Sequence, residues 1–226
     1  MIRAGRLAVV IAAPLTLAAC GTTFQFGGGV VPTGVYVANR DAASVTVYAL
    51  SASGNAAPLR TIAGAATGIN SPTGVAVTGT GVTYVASQSL HNIVVFAGGA
   101  NGNVAPIRTI GGALTQMTAC LGDVIVDGSG ILYVGGTCQD AVFVFAAGAT
   151  GNAAPTRVIS GAATAITEIT GLGLDGSGNL YAGDVAVSGG KINIYAAGAN
   201  GDVAPIRTIS GAATGLSGPR GVVVVP

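Results

Sequence analysis

One eight-residue segment occurs four times at nearly constant spacing, and this constrains the chain more than any other feature. APLRTIAG at 57–64 returns as APIRTIGG at 105–112, APTRVISG at 154–161 and APIRTISG at 204–211. The steps between Arg60, Arg108, Arg157 and Arg207 are 48, 49 and 50 residues. Self-similarity at such a period means one supersecondary unit stacked on copies of itself, because a single unit cannot bury its own apolar face. Upstream of each copy stands Gly-Asn or Gly-Asp (54–55, 102–103, 151–152, 201–202). Before that comes a run ending in an aromatic (SVTVY, NIVVF, AVFVF, KINIY), and before that a run centred on tyrosine (GVYVAN, VTYVAS, ILYVGG, NLYAGD).

These runs are short, β-branched or aromatic, and bounded by glycine, which is the pattern of strands and not of helices. Each unit then holds four strands, which we name A to D. In the second unit A covers 74–77, B 82–87, C 92–97 and D 105–110. The turns between A and B read TGTG, DGSG and DGSG at 78–81, 127–130 and 175–178, where glycine supplies positive φ in tight hairpins. A proline opens every D segment; it has no N–H to donate, so D belongs at a sheet edge. Four antiparallel strands per repeat at this period are the signature of a propeller blade. The first unit starts at Gly34 with strand B, while the end of the chain, PRGVVVV at 219–225, matches strand A of the second unit, PTGVAV at 72–77. The expected fold is therefore all-β: a small β-propeller of four blades, each of four antiparallel strands. Residues 222–225 would complete the first blade beside residues 34–39 and remove the open sheet edge. A half-ring that dimerises, or part of a longer propeller, is the rival arrangement; the closed reading predicts a monomer.

The sequence from Pro72 to Phe96, P-x-G-V-A-V…Y-V-A…V-F, resembles NHL-type repeats and the lactonase-like propellers around them, over roughly 34–226. The resemblance implies a propeller scaffold. Four blades depart from that family's usual six or more. Lactonase-like propellers hold a divalent metal on the channel axis through Glu and Asn or Asp, which would draw on Glu168, Asp184 and Asn39. The position after strand B reads Asn39, Ser87, Gly136 and Asp184 across the units, so the repeat supplies no ring of ligands. No cofactor and no metal is expected.

Ahead of the repeats, residues 1–19 read as a secretory signal: Arg3 and Arg6, a short apolar run, then small residues. The run is too short for a permanent bilayer span. Leu-Ala-Ala-Cys at 17–20 resembles the lipobox of bacterial lipoproteins, which implies lipidation of Cys20 and anchoring to the membrane. Gly21, in place of an aspartate, favours the outer membrane or cell surface. Residues 20–33 then form a glycine-rich tether and 34–226 the propeller.

Composition narrows the function. Charged residues make up 8% of the chain, hydrophobic residues 50%, and the net charge is +1, so there is neither the charge of a disordered chain nor a basic patch for nucleic acid. The repeated tyrosines and arginines read as packing and as edge protection. Cys120 and Cys138 are not repeated. They flank the DGSG turn almost symmetrically in an exported chain, so a disulfide is expected; Cys120 aligns in this reading with Pro72. The remaining ionisable residues, Asp123 and Lys191 among them, gather in the B–C and D–A loops or at the adjoining strand ends, which emerge on one face, and the candidate binding face there is Asn39, Arg40, Asp41, His91, Asp140, Glu168, Asp184 and Arg220. Variable polar loops on a rigid scaffold are where binding resides. His91 lies in SQSLHN without a nucleophile-elbow motif. The expected function is a cell-envelope lipoprotein whose propeller binds or scaffolds a protein, peptide or glycan and is not an enzyme. A lactonase-like metal-dependent hydrolase and a purely structural surface protein are the alternatives.

Overall fold

A computed structural model describes residues 33–185 and 189–225. The signal segment, Cys20 and nearly all of the tether lie outside the described residues.

The chain forms fifteen short strands in four antiparallel sheets and no α-helix among the described residues. Sheet 1 holds β1 (Val35–Asn39), β2 (Ser44–Tyr48) and β3 (Arg60–Ala63). Sheet 2 holds β4 (Pro72–Val77), β5 (Thr83–Ser87), β6 (Asn92–Phe96) and β7 (Arg108–Ile110). Sheet 3 holds β8 (Leu121–Val126), β9 (Leu132–Gly136), β10 (Ala141–Phe145) and β11 (Arg157–Ser160). Sheet 4 holds β12 (Ile169–Leu174), β13 (Leu180–Asp184), β14 (Lys191–Tyr195) and β15 (Arg207–Ser210). Within each sheet the strands follow chain order, the meander expected of A to D, and the architecture is consistent with a propeller-like fold. Each D strand begins at its arginine, three residues later than the repeat predicted, because Ala-Pro and the next residue lie outside the strand. Proline offers the ladder no donor.

The A–B hairpins close as their residues dictate. The Asp127 carboxylate accepts the N–H groups of Ser129 and Ile131 at 2.8 and 2.9 Å. Asp175 does the same for Ser177 and Asn179, both at 2.9 Å. These are side-chain turns of the kind Asp favours. Bonds from Asn179, the two backbone N–H groups and Tyr181 hold Asp175 below the usual carboxylate range.

Apolar alternation sends each strand's residues to two different neighbours. The tyrosine of strand B faces the next sheet and the aromatic ending strand C faces the previous one. Thus Tyr84 joins the cluster between sheets 2 and 3 with Leu121 and Phe143, while Phe96 joins the cluster between sheets 1 and 2 with Val45 and Ile62. A third cluster, with Tyr133 and Tyr195, lies between sheets 3 and 4. The repeated arginines add a polar clamp: Tyr84, Val95 and Arg108 stand in register across three strands, and Arg108 donates to the Tyr84 hydroxyl at 3.0 Å. Arg60, Arg157 and Arg207 meet Tyr36, Tyr133 and Tyr181 in the same way at 2.9–3.3 Å.

Adjacent sheets are also stitched at the D strand. Ile62, Ile110 and Ile159 bridge to Gly102, Gly151 and Gly201 of the following unit. Beside each bridge, Asn103, Asn152 or Asp202 accepts the N–H of Ala66, Leu114 or Ala163 at 2.7–2.8 Å. That side chain occupies the place where a Cβ on Gly64, Gly112 or Gly161 would stand. All three glycines have φ near +120° (118°, 121° and 122°). The repeated glycine after strand D is therefore required twice over, by conformation and by the neighbour's side chain.

The first sheet has three strands, not four, which corrects the expected closure. Residues 221–225 form no strand and do not pair with β1. They lie instead against β12, where Gly171 meets the backbone of Gly221 and Gly173 meets Val222 and Val224. The Thr170 hydroxyl donates to the Pro219 carbonyl. This is the place a following strand A would take, as β4, β8 and β12 follow one another. The physical reason is local packing: Gly171 and Gly173 carry no Cβ where the tail backbone and its valines press on β12, so residues 221–225 seat on sheet 4 as the next strand A would.

Cys120 and Cys138 form the expected disulfide, with Cα atoms 5.1 Å apart. Leu121, not Cys120, occupies the Pro72 position: Pro72 pairs with Ser87 and Leu121 with Gly136. The one-residue offset places Cys120 opposite Cys138 just outside the ladder. Replacing both cysteines with serine is expected to lower stability by up to about 3 kcal/mol. Urea denaturation of the double variant, compared with the oxidised chain, would measure the loss.

Candidate functional site

A cleft of about 460 Å³ opens on the face carrying the B–C and D–A connections, and all four sheets line it. Two repeat positions supply most of its wall. The second residue of each A segment contributes Thr73, Gly122, Thr170 and, from the tail, Arg220; the first residue after strand B contributes Arg40, Gln88 and Thr137. Glu168 completes the polar lining. The opposite end offers a second dent made by the A–B turns of sheets 2 and 3, where Asp127 is the ionisable residue, already engaged in its own turn.

Of the eight residues singled out by sequence, the structure brings Arg40, Glu168 and Arg220 together in this cleft. The others sit elsewhere. Asn39 donates to the hydroxyls of Ser44 and Thr46 at 3.3 and 3.0 Å, within its own sheet. His91 and Asp140 both take φ of 49° at the B–C turn, the left-handed conformation that Asn, Asp and His tolerate best. Asp41 is exposed on the first B–C turn.

Asp184 is buried. Its carboxylate accepts Thr167 N–H at 2.7 Å, the Thr167 hydroxyl at 2.6 Å and Glu168 N–H at 3.2 Å, and Lys191 approaches to 3.8 Å. It organises the D–A loop from beneath, as Ser87 does in sheet 2 by bonding Asn70 N–H and the carbonyls of Gly68 and Asn70. Asp184 thus fixes the backbone that carries Glu168 into the cleft.

The residues that sequence reading passed over are Thr73, Gln88, Thr137 and Thr170. Their signal was present one step along the chain. The position after strand B was read at 39, 87, 136 and 184, whereas the cleft is lined at 40, 88 and 137. Successive residues of an extended chain point to opposite sides, so the neighbours of the buried series face the opening.

Two of the threonines also bind sheets together. The Thr137 hydroxyl donates to the Ile169 carbonyl at 2.8 Å, and Thr170 bonds the tail. The Thr73 hydroxyl oxygen is buried without a hydrogen-bond partner among the described residues. Behind the wall, Asp123 accepts Val124 N–H at 2.8 Å and Leu172 N–H of the next sheet at 3.0 Å. Burial pushes its pKa above the ordinary carboxylate value, outweighing those two bonds. A carboxyl raised in the folded state favours folding fully below its unfolded value, and this contribution is lost as pH climbs through the folded value.

Arg40 and Arg220 come from opposite ends of the described chain and carry the cleft's positive charge. Neither forms a salt bridge with a described residue; the one ion pair among the described residues is Lys191 with Asp184. Among those residues no three of His, Cys, Asp and Glu cluster in a way that could hold a metal ion, and no helix is long and apolar enough to cross a membrane. Chemically the cleft offers two guanidinium groups, one carboxylate and several hydroxyl and amide groups. That set suits recognition of a polar anion.

No protein-family model matches the sequence, and no curated protein matches it. Among solved structures the chain is similar to the Kuenenia stuttgartiensis Hydrazine Synthase, at 17% identity and a TM-score of 0.53. The match covers 71% of this chain and 42% of that one, so this chain spans less than half the length of its structural neighbour. At that identity the likeness is one of fold, and it agrees with the propeller-like stacking of the four sheets.

Proposed function

We propose that this chain is a binding module of the bacterial cell envelope, built on propeller blades, anchored by lipid on Cys20, and capturing acidic peptide segments in its polar cleft. The observation that carries this reading is the pair Arg40 and Arg220, which share one cleft with no carboxylate among the described residues bonded to either. A guanidinium is planar with five donors, so it pairs with carboxylates in two-bond fashion. Such contacts gain strength where a concave wall thins out the surrounding water. Gln88 stands ready for the peptide's own amide groups, the Thr137 and Thr170 hydroxyls, which already donate within the protein, keep lone pairs that can accept peptide N–H groups, and Glu168 suits a basic group beside the acidic one. Among the described residues the cleft has no aromatic lining on which a sugar ring could stack, which favours peptide over glycan. The lipobox-like Leu-Ala-Ala-Cys segment supports the envelope location, and the resemblance to NHL-type repeats supports the blade reading.

The test is capture. The immobilised full chain, held in mild detergent, is challenged with proteolysed envelope protein, and the retained peptides are sequenced by mass spectrometry. Acidic peptides should be enriched, and Arg40→Gln with Arg220→Gln should weaken their retention at least about tenfold, the equivalent of 1.4 kcal/mol. Equal retention by the double variant, or enrichment of peptides without acidic residues, would overturn the assignment.

A further inference from the structure

The end of the molecule opposite the cleft carries a second pocket of about 460 Å³, where the A–B turn of sheet 3 faces that of sheet 2. Its acid is Asp127. One oxygen of that carboxylate closes the turn by accepting the N–H groups of Ser129 and Ile131. The other accepts no hydrogen bond and meets no cation among the described residues. The same turn in sheet 4 shows the difference. Asp175 also closes its turn with one oxygen, but its second oxygen accepts from the Asn179 amide at 2.8 Å and from the Tyr181 hydroxyl at 3.4 Å. The two turns read DGSGI and DGSGN, so Ile131 stands where Asn179 supplies that bond, and the second oxygen of Asp127 is left over.

The other polar side chains of the wall are hydroxyls, those of Thr78, Thr80 and Ser129. No lysine, arginine or histidine lines it among the described residues. Thr78 and Thr80 share one hydrogen bond at 3.0 Å, and the Thr78 hydroxyl oxygen also accepts Val82 N–H at 3.1 Å. Half-buried Val77 and Val126 supply the apolar part. Two of the glycines are not required by the fold. Gly81 and Gly130 hold positive φ, 81° and 85°. Gly79 and Gly128 do not, and nothing lies within 4 Å of the place where a Cβ on either would stand. A side chain at Gly79 or Gly128 would strike no atom of the chain and would narrow the pocket that both residues line.

We propose that this pocket is a binding site for a primary alkylammonium group, the end of a lysine side chain on a peptide. An ammonium is a compact charge with three donors and no acceptor. It complements a wall that offers one unused carboxylate oxygen, hydroxyl oxygens and no cation. The aliphatic stem lies along Val77 and Val126, as long charged side chains do on apolar surface, and the bare backbone at Gly79 and Gly128 leaves the approach open. The site is at the other end of the A strands from the cleft, and it stands whether or not the cleft takes acidic peptides.

Titration of the full chain in mild detergent with Nα-acetyl-lysine methylamide, followed by backbone NMR shifts and calorimetry, tests the assignment. Saturable shifts at Thr80, Asp127 and Ser129 are expected. The norleucine analogue, which lacks the amine, should bind at least about tenfold more weakly, the scale of one hydrogen bond to a charged group. Asp127→Asn keeps an oxygen for the two turn N–H groups, so the turn still closes, and it should weaken the lysine probe by the same factor. Gly128→Leu should block the probe while leaving thermal unfolding unchanged. Glu168→Gln, in the cleft, should have no effect. Absence of saturable shifts, undiminished binding to Asp127→Asn, loss of binding in Glu168→Gln, or equal affinity for the norleucine analogue would overturn the site. Tighter binding of putrescine, a diamine without a peptide backbone, would overturn its assignment to a lysine side chain.

Discussion

Ile110→Ala is expected to destabilise the protein by about 2–5 kcal/mol, the range for a fully buried aliphatic side chain whose cavity cannot collapse. Ile110 lies in the cluster between sheets 2 and 3, against residues drawn from both. Its backbone is also pinned, since it bridges to Gly151 of the following unit. The surrounding sheets can relax little when the side chain is removed. Domains of this size are commonly stable by only about 5–15 kcal/mol, so the variant should show a large fall in its urea midpoint with little change in slope. Ile209→Ala is the matched control. The residue type and repeat position are the same, but Ile209 is 44% exposed where Ile110 is 1% exposed. Its loss should cost under about 1 kcal/mol. A cost for Ile209→Ala equal to that for Ile110→Ala would mean that the chain covers its own last sheet.

Asp184→Ala should cost about 3–5 kcal/mol, the range for removing one partner of a buried, hydrogen-bonded charge pair. Three donors from the Thr167–Glu168 loop lose their acceptor, and Lys191 loses its counter-charge. Unmet buried donors carry a desolvation penalty that new water at the surface offsets only in part. Asp184→Ser should recover part of the loss, because Ser87 performs the equivalent task in sheet 2 with one hydroxyl. Thermal and urea unfolding of the two variants would establish the order: alanine worst, serine intermediate. Wild-type stability in the alanine variant, together with lost peptide capture, would instead make Asp184 a residue of the binding surface.

These two positions mark how far the sequence could be read. The period of the arginines, the glycine turns and the β-branched runs identify strands whose order and pairing need no further information, since each meander is local. The disulfide was readable for the same reason: Cys120 and Cys138 flank a single hairpin, and hairpin register follows from the turn. The glycine repeated after strand D was visible as a letter, but its cause was not. It is a side chain arriving from about forty residues away, and distance along the chain hides such contacts.

The cleft was half legible. Arg40, Glu168 and Arg220 were found because they interrupt a repeat otherwise poor in charge. Asp184 looked alike in sequence and is buried, because a single step along a strand exchanges the cleft-facing side for the loop-supporting side. What the amino-acid sequence determined by itself is the repeated four-stranded unit, with its local turns and its covalent staple, because all of these depend on neighbours within one hairpin or one sheet. The tertiary structure alone decided that the tail stops beside β12 and that β1 lies in a sheet of three strands. That placement depends on side chains packed between sheets, a sum over many long-range contacts that no single segment records.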